Sequence, residues 1–181
     1  MTVKQIIGEC LVRMGLDNFI NNQSYTADEQ KLADRLVLDL NIVYRQIVAR
    51  DLPLVASADI EIENGSYSFS SLTGVRFLYP VRLEVGDSAI KYRAYATSIK
   101  CDYSGSAKLF YAYLPSTDFA LTDSIDDVRV TPQVLCAGIL AEYYLQNKVF
   151  DLARNYDDEF RGAMAEIKYK GRSMFLKDRR W

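Results

Sequence analysis

The 181-residue chain contains no histidine. That absence excludes a Ser-His-Asp triad, a Cys-His nucleophile pair, an HExxH zinc site and any mixed Cys/His metal site, since each needs an imidazole to carry a proton or donate a lone pair. Chemistry at neutral pH would rest on carboxylates, lysine or tyrosine. Cysteine is scarce. Cys10, Cys101 and Cys136 stand far apart, odd in number and without CxxC spacing, the pattern of small buried hydrophobes in a reducing compartment. No apolar run approaches the roughly 18 residues that span a bilayer. The opening MTVKQIIGEC lacks an apolar stretch of signal-peptide length, so export by that route is not expected. Neither G-x-G-x-x-G nor G-x-x-x-x-G-K-[ST] occurs, which removes the glycine loops that cradle phosphates. The expectation is a non-enzyme with no catalytic residue, cofactor or metal.

What is present is the balance of a globular protein with a real core: 49% apolar and 25% charged residues. Tyrosine outnumbers phenylalanine, 13 to 8, and a ring with an apolar body and a wet tip suits half-buried surfaces and subunit contacts. Net charge is −2 but unevenly placed: residues 168–181 hold six cations and one carboxylate, so an acidic body is followed by a basic, aromatic-tipped segment.

Periodicity divides the chain. Thr2-Val-Lys-Gln5 has the form of a capping box, and Ile6, Ile7, Cys10, Leu11 and Met14 then recur on one helical face until Gly15. Thr26-Ala-Asp-Glu29 opens a second helix through Leu32, Leu36, Leu40, Val43, Tyr44 and Ile47, a rod of about 36 Å ending before Pro53. From Ala56 the period becomes two, with turns at Asn64-Gly65, Gly86-Asp87 and Ser104-Gly105, which predicts one antiparallel meander of five or six strands ending at Pro115. In it Ile60, Ile62, Tyr67, Phe69, Val81, Leu83, Val85, Leu109, Tyr111 and Tyr113 alternate with polar residues. Thr131-Pro132 starts a third helix, where Ala137, Gly138 and Ala141 make one flank thin enough for a close neighbour. A fourth helix from Phe150 to about Tyr169 is expected to bury Leu152, Ala153, Tyr156, Phe160, Met164 and Ile167. Helix pairs flanking a strand block predict an α+β fold: an antiparallel helical bundle (1–54 and 128–170), a central antiparallel β insertion (55–116) and an extended C-terminal tail (171–181).

Two carboxylate clusters, Asp123-Ser-Ile-Asp126-Asp127 and Asp157-Asp158-Glu159, lack the alternating oxygens and glycine of a calcium loop and read as a solvated loop and a wet helix face. Tyr143, Tyr144, Phe150 and Tyr156 could form a base-stacking platform, but at helical spacing they read first as core or subunit contact. The tail is harder to dismiss. Burying a tryptophan removes about 150–250 Å² from water, up to roughly 4–6 kcal/mol before ordering costs. Aromatic anchors flanked by arginine are the composition of interface hot spots, so Arg172, Met174, Phe175, Leu176, Lys177, Arg179, Arg180 and Trp181 are the candidate partner-binding residues.

The opening helix ending Arg13-Met14-Gly15, the stretch LDLNIVYRQIVARDLPL (38–54), the strand block, and AEYYLQNKVFDLARNYDDEFRGAM (141–164) followed by Arg179-Arg180-Trp181 resemble the head-to-tail connector (adaptor, or head-completion) proteins of tailed bacteriophages. The likeness lies in layout across most of the chain, with no individually specific motif. It implies a homo-oligomeric ring, commonly of about twelve copies, bound below the portal protein in the virion neck. Its other face would meet a tail, nozzle or stopper protein, and DNA would pass through the lumen without specific binding. The tail 168–181 would enter the portal. A stopper or tail-completion ring, or a non-phage nucleic-acid-binding module using the basic tail, stays open as an alternative. No membrane partner is expected.

Overall fold

The computed structural model describes residues 1–16, 26–72, 74 and 76–171. Helix α1 (Val3–Arg13) begins with a complete capping box: the Gln5 N–H donates to Thr2 Oγ1 and the Thr2 N–H to Gln5 Oε1. It ends at Gly15, whose φ of 76° lets the Gly15 and Leu16 N–H groups turn back onto the carbonyls of Val12 and Leu11. Helix α2 (Ala27–Arg50) is 24 residues long, as its periodicity implies. Strands β1 (Leu54–Ile62), β2 (Ser66–Ser68), β3 (Arg76–Val85), β4 (Ser88–Ile90), β5 (Arg93–Ala94), β6 (Ser98–Lys100) and β7 (Gly105–Leu114) follow, then α3 (Pro132–Gln146) and α4 (Phe150–Gly171). The fold is thus mixed α and β, with four helices and two antiparallel sheets among the described residues. The chain divides into two compact units, Met1–Tyr44 with the chain from Phe119 onward, and Arg45–Asp118.

In the first unit the middle of α3 is buried on every side: Val134 through Leu140 are all buried, and α1 and α4 both pack on the helix. A Cβ on Gly138 would stand 2.6 Å from Val43 Cγ1 of α2 and 3.1 Å from Phe160 Cδ2 of α4, so the thin flank is where α3 is approached from two directions. Leu36, Leu40 and Val43 of α2 and Ile6, Ile7, Cys10 and Leu11 of α1 supply the rest of this core. The fourth helix departs from expectation. Ala153 and Met164 are buried and Tyr156, Phe160 and Ile167 half-buried, but Leu152 is 40% exposed. Leu32 and Met14 are likewise only half-buried, because each lies at an end of its helix's apolar stripe.

The loop before α3 is largely exposed, as its acids suggest, but its backbone is tied to the rest of the unit. Ser124 bridges to Thr2 as a β-pair, the Val3 N–H donates to the Asp123 carbonyl at 2.9 Å, and the Ile125 N–H donates to the Met1 carbonyl at 2.8 Å. Within this loop Ile125 is buried. Buried Asn41 ties α2 to the same loop, exchanging side-chain hydrogen bonds with both the N–H and the carbonyl of Phe119. These bonds anchor the loop to the start of α1 and to α2 while Asp123, Ser124 and Asp126 stay exposed.

In the second unit the strands do not form the expected meander. Asn64 and Gly65 both have positive φ, 49° and 72°, and Glu63 and Ser66 exchange backbone hydrogen bonds, the geometry of a two-residue type I′ turn. Beyond that turn the two arms part. β1 pairs along its whole length with β7, while β2 pairs with β6, giving one sheet of order β1-β7-β3-β4 and a second of order β2-β6-β5. Gly65 is required for a further reason: a Cβ there would stand 2.5 Å from the Cys101 carbonyl oxygen. The core holds Ile60, Ile62, Phe69, Leu83, Ile99, Leu109 and Tyr111, with Phe69 stacked on Phe77 at 4.2 Å. Val81 was expected in that row but is exposed, because the β3–β7 register slips between Pro80 and Arg82 and throws it to the opposite face.

Candidate functional site

The predicted partner-binding residues, Arg172, Met174, Phe175, Leu176, Lys177, Arg179, Arg180 and Trp181, lie outside the described residues. The surfaces that can be built from the residues upward are on the helical unit. The outward face of α1 and the start of α3 enclose an open groove of about 760 Å³. Its floor is thin at Gly8, where an added Cβ would meet nothing within 4 Å, and Leu11 and Val12 line it between Lys4, Glu9 and Arg13. Arg13 is held at one side by Glu159 of α4 at 2.8 Å.

Exposed apolar side chains occur at two further places. Leu145, Val149, Phe150 and Leu152 at the α3–α4 turn are 40–63% exposed, and Leu38 and Ile42 on the outer side of α2 are 55% and 39% exposed. Asp39, fully buried, accepts a 3.1 Å hydrogen bond from Nε2 of the half-buried Gln146, so Leu38 and Leu145 each adjoin in sequence a member of this polar pair. Gln146 Nε2 also donates to Glu142 at 2.6 Å, and Arg35 Nε stands 3.7 Å from Asp39. Asp39 Oδ2 and Gln146 Oε1 are buried and have no hydrogen-bond partner among the described residues. Burial raises the Asp39 carboxyl above its ordinary value, with Arg35 acting in the opposite direction. Once protonated, Asp39 has the one donor that Gln146 Oε1 lacks, which would close an acid–amide ring.

The carboxylate clusters are engaged structurally. Asp127 takes a forked pair of hydrogen bonds from Arg129, at 2.8 and 2.7 Å, which hold its carboxyl below the ordinary range. Asp157 pairs with Arg161, Asp158 with Arg154 and Glu159 with Arg13. Among the described residues no group of three His, Cys, Asp or Glu side chains is placed to hold a metal ion. Tyr144 stacks on Tyr156 at 5.7 Å, nearly parallel, with Tyr143 edge-on to Tyr144, so these rings join α3 to α4, whereas Phe150 is 63% exposed. Cys10 and Cys136, distant in sequence, meet in the core: the Cys10 thiol is held well above its usual pKa by its hydrogen bond to Cys136 and by burial. The Asp39–Gln146 pair and the Asn41 clamp are features that sequence reading missed. Their only signal was a polar residue on the apolar side of a helical repeat. No helix among the described residues is long and apolar enough to cross a membrane.

The sequence matches no family model and no curated protein.

Proposed function

We propose that the chain is a structural, non-enzymatic subunit of the neck of a tailed-bacteriophage virion: a head-to-tail adaptor whose copies form a ring between the portal and the tail. On this reading the helices form an antiparallel bundle that carries the β insertion, and segment 171–181 extends from it to dock in the portal. The observation that carries the proposal is the set of exposed apolar side chains Leu38 and Ile42 on α2 and Leu145, Val149, Phe150 and Leu152 at the α3–α4 turn, which a lone subunit gains nothing by exposing and a neighbouring copy would cover. Further support comes from the basic, aromatic composition of 172–181 and from the acidic remainder, which would repel DNA passing through a ring.

Mass measurement of the purified protein with and without portal tests the ring: a defined ring in at least one state is expected, and a monomer in both would overturn the proposal. Deleting 172–181 should abolish portal binding while far-UV circular dichroism stays unchanged. Undiminished portal binding would refute the docking role of that segment. A ring that binds the tail side but never the portal would identify a stopper or tail-completion ring instead.

A further inference from the structure

In the larger sheet, charges that face each other across strands are of opposite sign: Lys108 of β7 lies between Asp59 of β1 and Glu84 of β3. The smaller sheet breaks this rule. Arg93 of β5 is directly opposite Lys100 of β6, a like-charge cross-strand pair that costs stability where nothing neutralises it. Lys91, Arg93, Tyr95 and Lys100 line one open cavity of about 630 Å³, together with Tyr92, Cys101 and a single carboxylate, Asp102. Lys91, Arg93, Tyr95 and Lys100 are exposed, and none of the three cations forms an ion pair among the described residues. Lys100 Nζ stands 5.7 Å from the Tyr95 ring centre, so the ring adjoins the cationic cluster. Beneath them Ile99 is fully buried, which fixes the strand that presents Lys100.

We propose that this cavity binds the phosphodiester backbone of a single-stranded nucleic acid, with Lys91, Arg93 and Lys100 on the phosphates and Tyr95 as the stacking surface for a base. Arg93 has the forked donors that match a phosphate, the lysines add point charge, and an exposed ring beside them is the usual companion of such a groove. A ligand phosphate also removes the repulsion between Arg93 and Lys100, which gives the pair a reason to stand opposite. The cavity lies in the strand-bearing unit, so the proposal does not depend on the ring or on segment 172–181.

The test is fluorescence anisotropy of a labelled deoxythymidine oligonucleotide with the full chain over a range of salt concentrations. Neutralising the cluster (K91Q, R93Q and K100Q together) should weaken binding and lower the salt slope by about 2, at about 0.7 per lost phosphate contact for a single strand. Tyr95→Ala should weaken binding by about tenfold with the salt slope unchanged. A salt slope unchanged in the triple variant would overturn the proposal, as would loss of binding only when Lys177, Arg179 and Arg180 are neutralised. So would equal competition, at matched ionic strength, by inorganic phosphate or by an oligoglutamate of the same charge, which would assign the site to a free anion or to an acidic protein segment.

Discussion

Gly138→Ala adds one methyl group and should destabilise the protein, although alanine is the better helix former. The gain in helix propensity is about 1 kcal/mol. Against it, the new Cβ would stand 2.6 Å from Val43 Cγ1, closer than carbon atoms approach, and 3.1 and 3.2 Å from the Phe160 ring. Val43 is β-branched, on a helix and 3% exposed, so one rotamer is open to it and it cannot turn aside. Phe160 is half-buried and can give a little. Overpacking of this kind costs about 1–3 kcal/mol, and the rigidity of Val43 puts this case in the upper half. The net loss should be about 1–2 kcal/mol, read by urea denaturation or as about 2–4 °C of Tm per kcal/mol. Gly8→Ala and Gly162→Ala are the controls, since an added Cβ at either position meets nothing within 4 Å. Both should stabilise by about 0.5–1 kcal/mol through propensity alone. If Gly138→Ala stabilised as the controls do, the placement of α3 between Val43 and Phe160 would be wrong.

Asp39 and Asp127 should respond to pH in opposite ways. The folded Asp39 carboxyl is raised above its ordinary 3.8, so its contribution favours folding below that pH and is lost as pH rises through the folded value. Asp39→Asn supplies Gln146 Oε1 with a donor and removes the buried charge, so it should stabilise by about 1 kcal/mol at pH 7 and by less as the pH approaches 4, measured by urea unfolding at both; a gap that grew on acidification would contradict this. The Asp127 carboxyl is lowered by Arg129, so its contribution is present above 3.8 and lost as pH falls through the folded value. Asp127→Asn should therefore cost about 1–2 kcal/mol at pH 7 and progressively less on acidification, and a cost independent of pH in thermal melts would count against it. A thiol reagent at neutral pH should modify Cys101 in the native protein and reach Cys10 and Cys136 only on denaturation, because those two are buried; equal rates for all three would refute the core contact.

Much of the fold was legible because local signals and burial agreed. The Thr2 and Thr131 caps, the Gly15 stop, the Asn64-Gly65 turn and the repeat of α2 each state a short-range backbone requirement, and each is met. Pairing was not legible. Asn64-Gly65 specifies a turn but not how far its arms stay together, and here they part after one bridge because β7 outcompetes β2 for β1 over nine residue pairs. Leu152 read as core because helical periodicity marks a face without saying whether anything covers it. Of the candidate site, the chemistry of 172–181 is in the residue types, while the like-charged Arg93–Lys100 pair emerges only from the register of β5 on β6.

By itself the sequence determined the helices and most of the turns, the exclusion of histidine chemistry, and the contrast between an acidic body and a basic segment, because these follow from residue types and spacings a few positions long. Tertiary structure decided that the strands make two sheets, that the acidic loop pairs with the backbone of Met1–Val3, that Cys10 meets Cys136, and that three cations share one cavity. Those are contacts between residues far apart in the chain. Which of them form depends on the packing of whole elements, where many near-equal pairings compete and the one that buries most apolar surface with its polar groups satisfied prevails.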